Sequence, residues 1–121
     1  MNIGFQIRTV TIEDIKDFVN TLIRINIRQM KRRRMPRLYE SGIRYRREKL
    51  GNENWQTIEQ LLESRYGDCE DLVAARVAEL RMRGIRAQPW FSRRGATWHV
   101  FIKLPSGKIE DPSALLGMNK N

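Results

Sequence analysis

The first long pattern in the sequence is an apolar stripe with helical spacing that begins after Thr11. Its members are Ile12, Ile15, Phe18, Val19, Leu22, Ile23, Ile27 and Met30. Such spacing predicts an amphipathic helix, for which Thr11 is a suitable N-cap. Glu13 and Asp14 place negative charge in the first turn, where the helix dipole favours it. We expect this helix to run to about Arg34, because Pro36 disfavours helical backbone at the residue before it.

Two further helices are predicted in the middle of the chain. Thr57 and Gln60 form a capping-box pattern, which predicts a short helix directly after a turn at residues 51–54. The next helix is expected from about Cys69 to Arg83, and a glycine follows it as a stop signal. The buried sides of these two helices are expected to contain Ile58, Leu61, Leu62, Leu72, Val73, Val77 and Leu80.

After residue 84 the apolar spacing changes to that of strands. The predicted elements are strands at 85–91, 97–104 and 109–111, with a loop at 92–95 and a turn at 105–108. The short turn predicts that the last two strands pair antiparallel. Residues 3–10 predict a short strand or an extended lead-in, and Trp90 and Trp98 are expected in the core. The whole pattern predicts an α+β fold class, with about three helices followed by a small antiparallel sheet.

The length of 121 residues suffices for one domain with a modest core. We divide this single domain, residues 1–121, into an N-terminal helix plus basic connector at 1–50 and a core at 51–118. No segment approaches the roughly 18 apolar residues that a membrane-spanning helix needs, and the N-terminus lacks the pattern of a secretory signal. We therefore expect a cytoplasmic protein that has no membrane partner.

The formal net charge of +9 is concentrated in residues 31–49, where aromatic residues lie between the basic ones. The candidate residues for binding nucleic acid or a partner are Arg32, Arg33, Arg34, Arg44, Arg46 and Arg47. Basic and aromatic side chains together can contact a phosphate backbone and stack on bases. The alternative is an extended connector that packs Tyr39 and Tyr45 on the core while the arginines stay in solvent.

The only cysteine, Cys69, lies where a loop is predicted to become a helix. One cysteine forms no internal disulfide, and zinc sites usually need several Cys or His ligands, so we expect no bound metal. A thiol attacks a carbonyl as thiolate, and both a helix N-terminus and a neighbouring imidazolium lower its pKa. We interpret Cys69, His99 and Asp111 as a thiol catalytic triad in which Asp111 orients the imidazole. His99 and Asp111 meet only if the two strands pair diagonally or through a bulge.

Carboxylates surround the cysteine at positions 68, 70 and 71, and their negative charge would raise the pKa of the thiol. Asp68 and Asp71 are well placed to cap the helix instead. An oxyanion needs N–H donors, and the candidates are the Cys69 backbone, the Gln56 side chain and the Trp55 indole. The non-catalytic alternatives are that Cys69 is only a buried thiol, His99 a core histidine and Asp111 a turn residue.

These motifs resemble the transglutaminase-like superfamily of papain-type thiol enzymes, and within it the bacterial transglutaminase-like cysteine peptidases. The residues that carry the resemblance are Trp55, Thr57, Glu59 and Gln60, then 67–71, then Leu80, Arg81 and Gly84. The resemblance covers residues 53–117, and the segment 67–71 is its specific part. It implies a papain-like catalytic core in which Cys69 is the nucleophile, His99 the general base and acid, and Asp111 the orienting residue.

Segments 36–45, 110–113 and 116–118 also resemble small transglutaminase-like proteins encoded by tailed bacteriophages. Some superfamily members bind calcium through acidic residues beside the cysteine, and Asp68, Glu70 and Asp71 match these in type. Three oxygen donors fall short of the about six to eight that calcium takes, so we expect no cofactor.

Three functions follow as hypotheses. The first is a thiol protease-like hydrolase or acyl transferase that acts on a peptide or protein amide through a thioester on Cys69. The second is a non-enzymatic phage structural or assembly protein, in the host cytoplasm or the virion, that binds nucleic acid or a virion protein through its basic face. The third is a peptidoglycan amidase, which has the same chemistry as the first and a different substrate.

Overall fold

The computed structural model describes residues 3–5, 11–47, 53–95 and 97–118. In chain order the elements are β1 (Ile3–Phe5), α1 (Ile12–Arg32), a 3-10 turn (Leu38–Glu40), β2 (Arg44–Tyr45), β3 (Glu53–Trp55), α2 (Ile58–Ser64), β4 (Tyr66–Gly67), α3 (Cys69–Met82), β5 (Gln88–Arg94), β6 (Thr97–Lys103), β7 (Ile109–Glu110) and α4 (Pro112–Leu115). The fold is therefore a mixture of helix and sheet, and the predicted α+β class is confirmed at this level.

The strands of the described residues form three separate sheets. Strands β5, β6 and β7 make the antiparallel sheet that the sequence predicted. β1 pairs antiparallel with β3, and β2 pairs in parallel with β4. The parallel pair was not predicted, and it brings the basic segment alongside the residues that precede Cys69.

Helix α3 lies at the centre of the core. It packs against α1 through Val19 and Leu22, and against one face of the sheet through Val100 and Ile102. Its own contribution includes Ala74 and other small residues, which allow neighbouring elements to approach closely. Residues on both sides of position 50 therefore belong to the same buried cluster.

The polar residues of α1 explain how α2 is attached. Thr57 caps α2 with the predicted capping box, and two buried side chains of α1 accept the next N–H groups. Asn26 Oδ1 accepts the N–H of Ile58 at 2.7 Å, and Gln29 Oε1 accepts that of Glu59 at 3.1 Å. The N–H groups in the first turn of α2 are thus satisfied jointly by α1 and by the Thr57 cap. No helix in the described part of the chain is long and apolar enough to cross a membrane.

The helix predictions are largely confirmed. Thr11 caps α1 and forms a capping box with Asp14, as its side chain and position suggested. α1 ends at Arg32, two residues before the predicted end, and α3 ends at Met82, one residue before it. Local capping signals therefore located the helix starts closely.

Several strand and loop predictions are wrong in detail. Residues 53 and 54 of the predicted turn belong to β3, because they pair with β1, while residues 51 and 52 lie outside the described residues. β5 starts three residues late and continues through most of the predicted loop, because it pairs with β6 from Gln88 to Arg94. The chain reverses at Gly95, whose φ of 61° suits glycine. Of residues 3–10, the described part is the strand 3–5.

The prediction that Trp90 lies in the core is also wrong. Trp90 is 48% exposed, because the alternation along β5 places it opposite Phe101 on the sheet face that points away from α3. Trp98 lies on the other face and packs against the core while remaining partly buried.

The attachment of α2 to α1 gives a testable prediction. Asn26→Ala should lower the free energy of unfolding by about 1–3 kcal/mol, because the N–H of Ile58 loses its buried acceptor. Asn20→Ala is the matched control, since Asn20 is exposed on the same helix. Urea denaturation followed by circular dichroism measures both. Equal losses in the two variants would contradict the docking role of Asn26.

Candidate active site

Three residues of the segment 67–71, namely Gly67, Asp68 and Asp71, have clear structural roles. Asp68 is the N-cap of α3, and it shares a capping box with Asp71. This confirms the expected capping role of both aspartates. Asp71 also accepts the backbone N–H of Gln56 at 2.8 Å, which ties the end of β3 to the helix. A Cβ atom added at position 67 would lie 2.6 Å from the Leu61 side chain. Glycine at this position therefore lets β4 lie this close to α2 and α3.

The Cys69 thiol is buried at the first turn of α3, with 6% of the residue exposed. Burial raises the pKa of Cys69 well above its ordinary value, and the charges of Glu70, Asp68 and Asp71 raise it further. The backbone N–H of Val100 donates to the sulfur and lowers the pKa, without offsetting the other effects. The helix N-terminus therefore does not by itself make Cys69 a thiolate, because burial and the neighbouring carboxylates act against it.

His99 and Asp111 form a close pair. His99 Nε2 lies 2.7 Å from Asp111 Oδ2, and His99 is almost fully buried. Glu110 pairs with Ile102, so Asp111 follows diagonally across the two strands from His99. Of the two arrangements that would let them meet, diagonal or bulged, the structure has the diagonal one. Asp111 is also the N-cap of α4, where Oδ1 accepts the N–H of Ala114 at 3.3 Å.

The structure places the thiol beside the backbone of β6, one residue from His99, without joining it to the imidazole. Cys69 contacts Val100, the residue that follows His99 in β6. β7 pairs with β6 only at Ile102 and Lys103, so it does not cover this part of the strand. Within the described residues, no hydrogen bond or ion pair links Cys69 to His99. Since Nε2 is engaged by Asp111, Nδ1 is the ring nitrogen left for a thiol.

The three candidate oxyanion donors all have structural roles. Gln56 Nε2 donates to the carbonyl of Tyr66 at 2.8 Å, and its Oε1 accepts from Ser64. The Trp55 ring is buried with its centroid 5.5 Å from that of Phe18. The backbone N–H of Cys69 donates to Asp68 Oδ1 at 2.7 Å. A substrate oxyanion would have to displace the Asp68 side chain to use the Cys69 N–H.

The acidic residues beside the cysteine do not fit calcium. Asp68, Cys69 and Glu70 each offer one ligand atom, and these atoms lie within 4.8 Å of one another. One of the three is a thiol, whereas calcium takes about six to eight oxygen ligands. The described donor set is therefore too small and of the wrong kind.

The basic residues form two exposed groups. Residues 32–34 lie at the last position of α1 and just after it, and residues 44, 46 and 47 lie on or just after β2. The Arg46 backbone N–H donates to the Gly67 carbonyl at 2.9 Å, and its guanidinium lies 4.4 Å from the centre of the Tyr66 ring. Tyr39 and Tyr45 pack against the core, as the connector interpretation expects.

Tyr45 is a neighbour of the candidate site that the sequence did not reveal. Burial raises its pKa to about 12, and the charges of Asp68 and Cys69 contribute to this shift. Tyr45 lies opposite Gly67 in the parallel pair. The signal that could have identified it is this pairing, which joins segments more than twenty residues apart and leaves no local pattern.

Comparisons with family models, with curated proteins and with solved structures found no match for this chain. The transglutaminase-like resemblance therefore stays a prediction.

The electrostatics of Cys69 give a second prediction. Glu70→Gln should lower the pKa of Cys69, because it removes the charge that raises this pKa most after burial. The thiolate fraction at pH 8 then rises, and alkylation by iodoacetamide should become several-fold faster. Glu63→Gln is the control, since it removes an exposed carboxylate of α2. Identical rates in both variants and the wild type would contradict the assigned effect of Glu70.

Proposed function

We propose that this chain is a cysteine-dependent amide hydrolase or acyl transferase in which Cys69 is the nucleophile. The observation that carries the proposal is the 2.7 Å contact between His99 Nε2 and Asp111 Oδ2, next to the strand residue that contacts the thiol. A carboxylate on one ring nitrogen fixes the tautomer and stabilises the imidazolium that forms when the other nitrogen takes a proton. That arrangement suits a general base.

The reaction would proceed through a thioester. His99 Nδ1 takes the thiol proton as Cys69 Sγ bonds to the amide carbonyl carbon, and the oxyanion forms. The imidazolium then protonates the leaving nitrogen, the C–N bond breaks and the amine departs. Water, or an acceptor amine in the transferase case, attacks the thioester with His99 again as base, and the thiol is regenerated. Asp111 remains ionised throughout.

The charges around Cys69 favour one version of this chemistry. Burial and the neighbouring carboxylates keep the resting sulfur protonated, because they raise the pKa of Cys69. A preformed thiolate is therefore disfavoured, and we propose that deprotonation accompanies attack as general-base catalysis. The Asp68 side chain would turn away from the Cys69 N–H when substrate binds, which would free an oxyanion donor.

The class of enzyme follows from the order of the site residues. A cysteine opens a helix, His99 follows on strand β6, and Asp111 comes directly after the next strand, β7; this order supports a papain-like, transglutaminase-like core at 51–118. A peptide or protein amide is the proposed substrate, and a peptidoglycan amide fits the same chemistry. Host cytoplasm is the proposed site of action.

The proposed nucleophile gives a direct test. Cys69→Ala should abolish turnover of a panel of peptide and peptidoglycan amides, because no thioester can form. It should leave the circular dichroism spectrum unchanged, since the change removes a single buried sulfur. Intact-mass spectrometry of the wild type should detect an acyl adduct that maps to Cys69. Turnover that persists in the variant would remove the proposal.

A second candidate function is supported by the exposed basic groups. A non-enzymatic phage structural or assembly protein would use residues 32–34 and 44–47 to bind nucleic acid or a virion protein. Binding to DNA should then weaken steeply with salt, because each neutralised phosphate releases counterions. Changing the arginines at 32, 33 and 34 to Gln should reduce both the affinity and the salt slope.

The control for this test removes the same charge from elsewhere on the surface. Arg83, Arg86 and Lys103 are exposed, and their triple Gln variant should bind DNA like the wild type. Binding that is absent, or that does not respond to salt, would count against the nucleic-acid hypothesis.

A further inference from the structure

A polar network lies between α3, the 3-10 turn and the end of β7. The Tyr39 hydroxyl donates to Glu110 Oε2 at 2.6 Å, and Arg76 Nε donates to the same oxygen at 2.7 Å. Arg76 also contacts Glu79 at 3.4 Å, and Glu79 accepts the backbone N–H of Leu38 at 2.9 Å. The network therefore joins three separate parts of the chain through one carboxylate oxygen.

The network is shielded and charge-assisted. The side chains of Arg76 and Glu110 are 13% and 17% exposed, and the guanidinium lies 4.6 Å from the centre of the Tyr39 ring. Burial alone would raise the pKa of Glu110, but the hydrogen bonds from Arg76 and Tyr39 outweigh it and lower this pKa. Burial and Glu110 raise the pKa of Tyr39. Glu110 is thus an ionised acceptor, and Tyr39 is a protonated donor at neutral pH.

Glu110 is joined by one peptide unit to Asp111, which contacts His99. The sheet alone holds this point weakly, because β7 has two residues and Ile109 is 51% exposed. On the other side, the cap bond from Ala114 to Asp111 is long, at 3.3 Å. The bonds from Tyr39 and Arg76 to Glu110, at 2.6 and 2.7 Å, are shorter than this cap bond and charge-assisted, so they anchor the residue next to Asp111.

We propose that Tyr39 and Arg76 are positioning residues, which hold Glu110 and thereby fix the Asp111 carboxylate on His99 Nε2. Neither residue touches the thiol or a reacting atom. Tyr39 belongs to the basic connector, so this segment contributes to the geometry of the candidate site. The consequence for Cys69 chemistry rests on the proposed function, whereas the consequence for the His99–Asp111 contact does not.

The test follows the proton on His99 Nε2 by nitrogen-15 NMR. His99 is the only histidine, so its signals are unambiguous. The 2.7 Å contact with a carboxylate oxygen leads us to infer that Nε2 carries the proton. Tyr39→Phe and Glu110→Gln should speed exchange of this proton with water by about tenfold, the change expected for losing one charge-assisted bond. Asp111→Ala is the reference for complete loss of the protected Nε2 proton signal.

The matched control is Ser41→Ala, which perturbs the same turn without touching Glu110. Ser41 Oγ donates to the Leu38 carbonyl at 2.6 Å and accepts the N–H of Ile43. Ser41→Ala should leave the exchange rate of the Nε2 proton unchanged. Urea denaturation of every variant measures its stability, so that a general loss of stability can be recognised. The proposal is overturned by unchanged exchange in Tyr39→Phe and Glu110→Gln, by equal acceleration in Ser41→Ala, or by a wild type without a protected proton.

The alkylation rate of Cys69 in the same variants separates this inference from the proposed function. Faster Nε2 exchange with slower alkylation supports both proposals. Faster exchange with unchanged alkylation supports the positioning role and counts against the coupling of His99 to the thiol.

Discussion

The burial of helix α3 is the constraint on which the rest of the structure depends. Nine of its fourteen residues are buried, and α1, the sheet and α4 all pack against it. A helix buried in this way needs internal partners for the N–H groups at its first turn. Asp68 and Asp71 provide them, and Gly67 allows the preceding strand to lie close enough for this.

The carboxylate caps of α3 also influence the chemistry of Cys69. Carboxylates are good caps, because they accept N–H bonds and interact favourably with the helix dipole. The same charges raise the pKa of the thiol at the first helical position, and burial acts in the same direction. A basic partner is needed if the sulfur is to react, and we propose His99 for this role, because it precedes Val100, whose backbone contacts the sulfur. Asp111 then links this partner to α4 and to β7.

The sequence predicted those parts of the fold that depend on neighbouring residues. Thr11, Thr57 and Asp68 cap the helices that follow them, because capping is a local interaction. The short turn before β7 predicted the antiparallel pairing, which the structure has; whether Asp111 meets His99 depended on a diagonal or bulged register that the turn alone does not fix.

Interactions between distant segments were not predictable in this way. The parallel pairing of β2 with β4, which brings Tyr45 near Cys69, leaves no periodic signal. The alternation around Trp90 indicated a strand, but not which face packs on α3. The sequence suggests the Gln56 amide as an oxyanion donor, but in the folded chain it bonds to Tyr66 and Ser64, which no local pattern indicates.

The most direct test of the account is the pH dependence of Cys69 alkylation in the wild type and in His99→Ala. The protein has one cysteine, so the rate reports on a single thiol. If His99 serves as its base, the wild-type profile lies at lower pH than that of the variant, and the wild type reacts faster below about pH 8.5, the range of a free thiol. Superimposable profiles would contradict the account, because the imidazole would then have no influence on the sulfur.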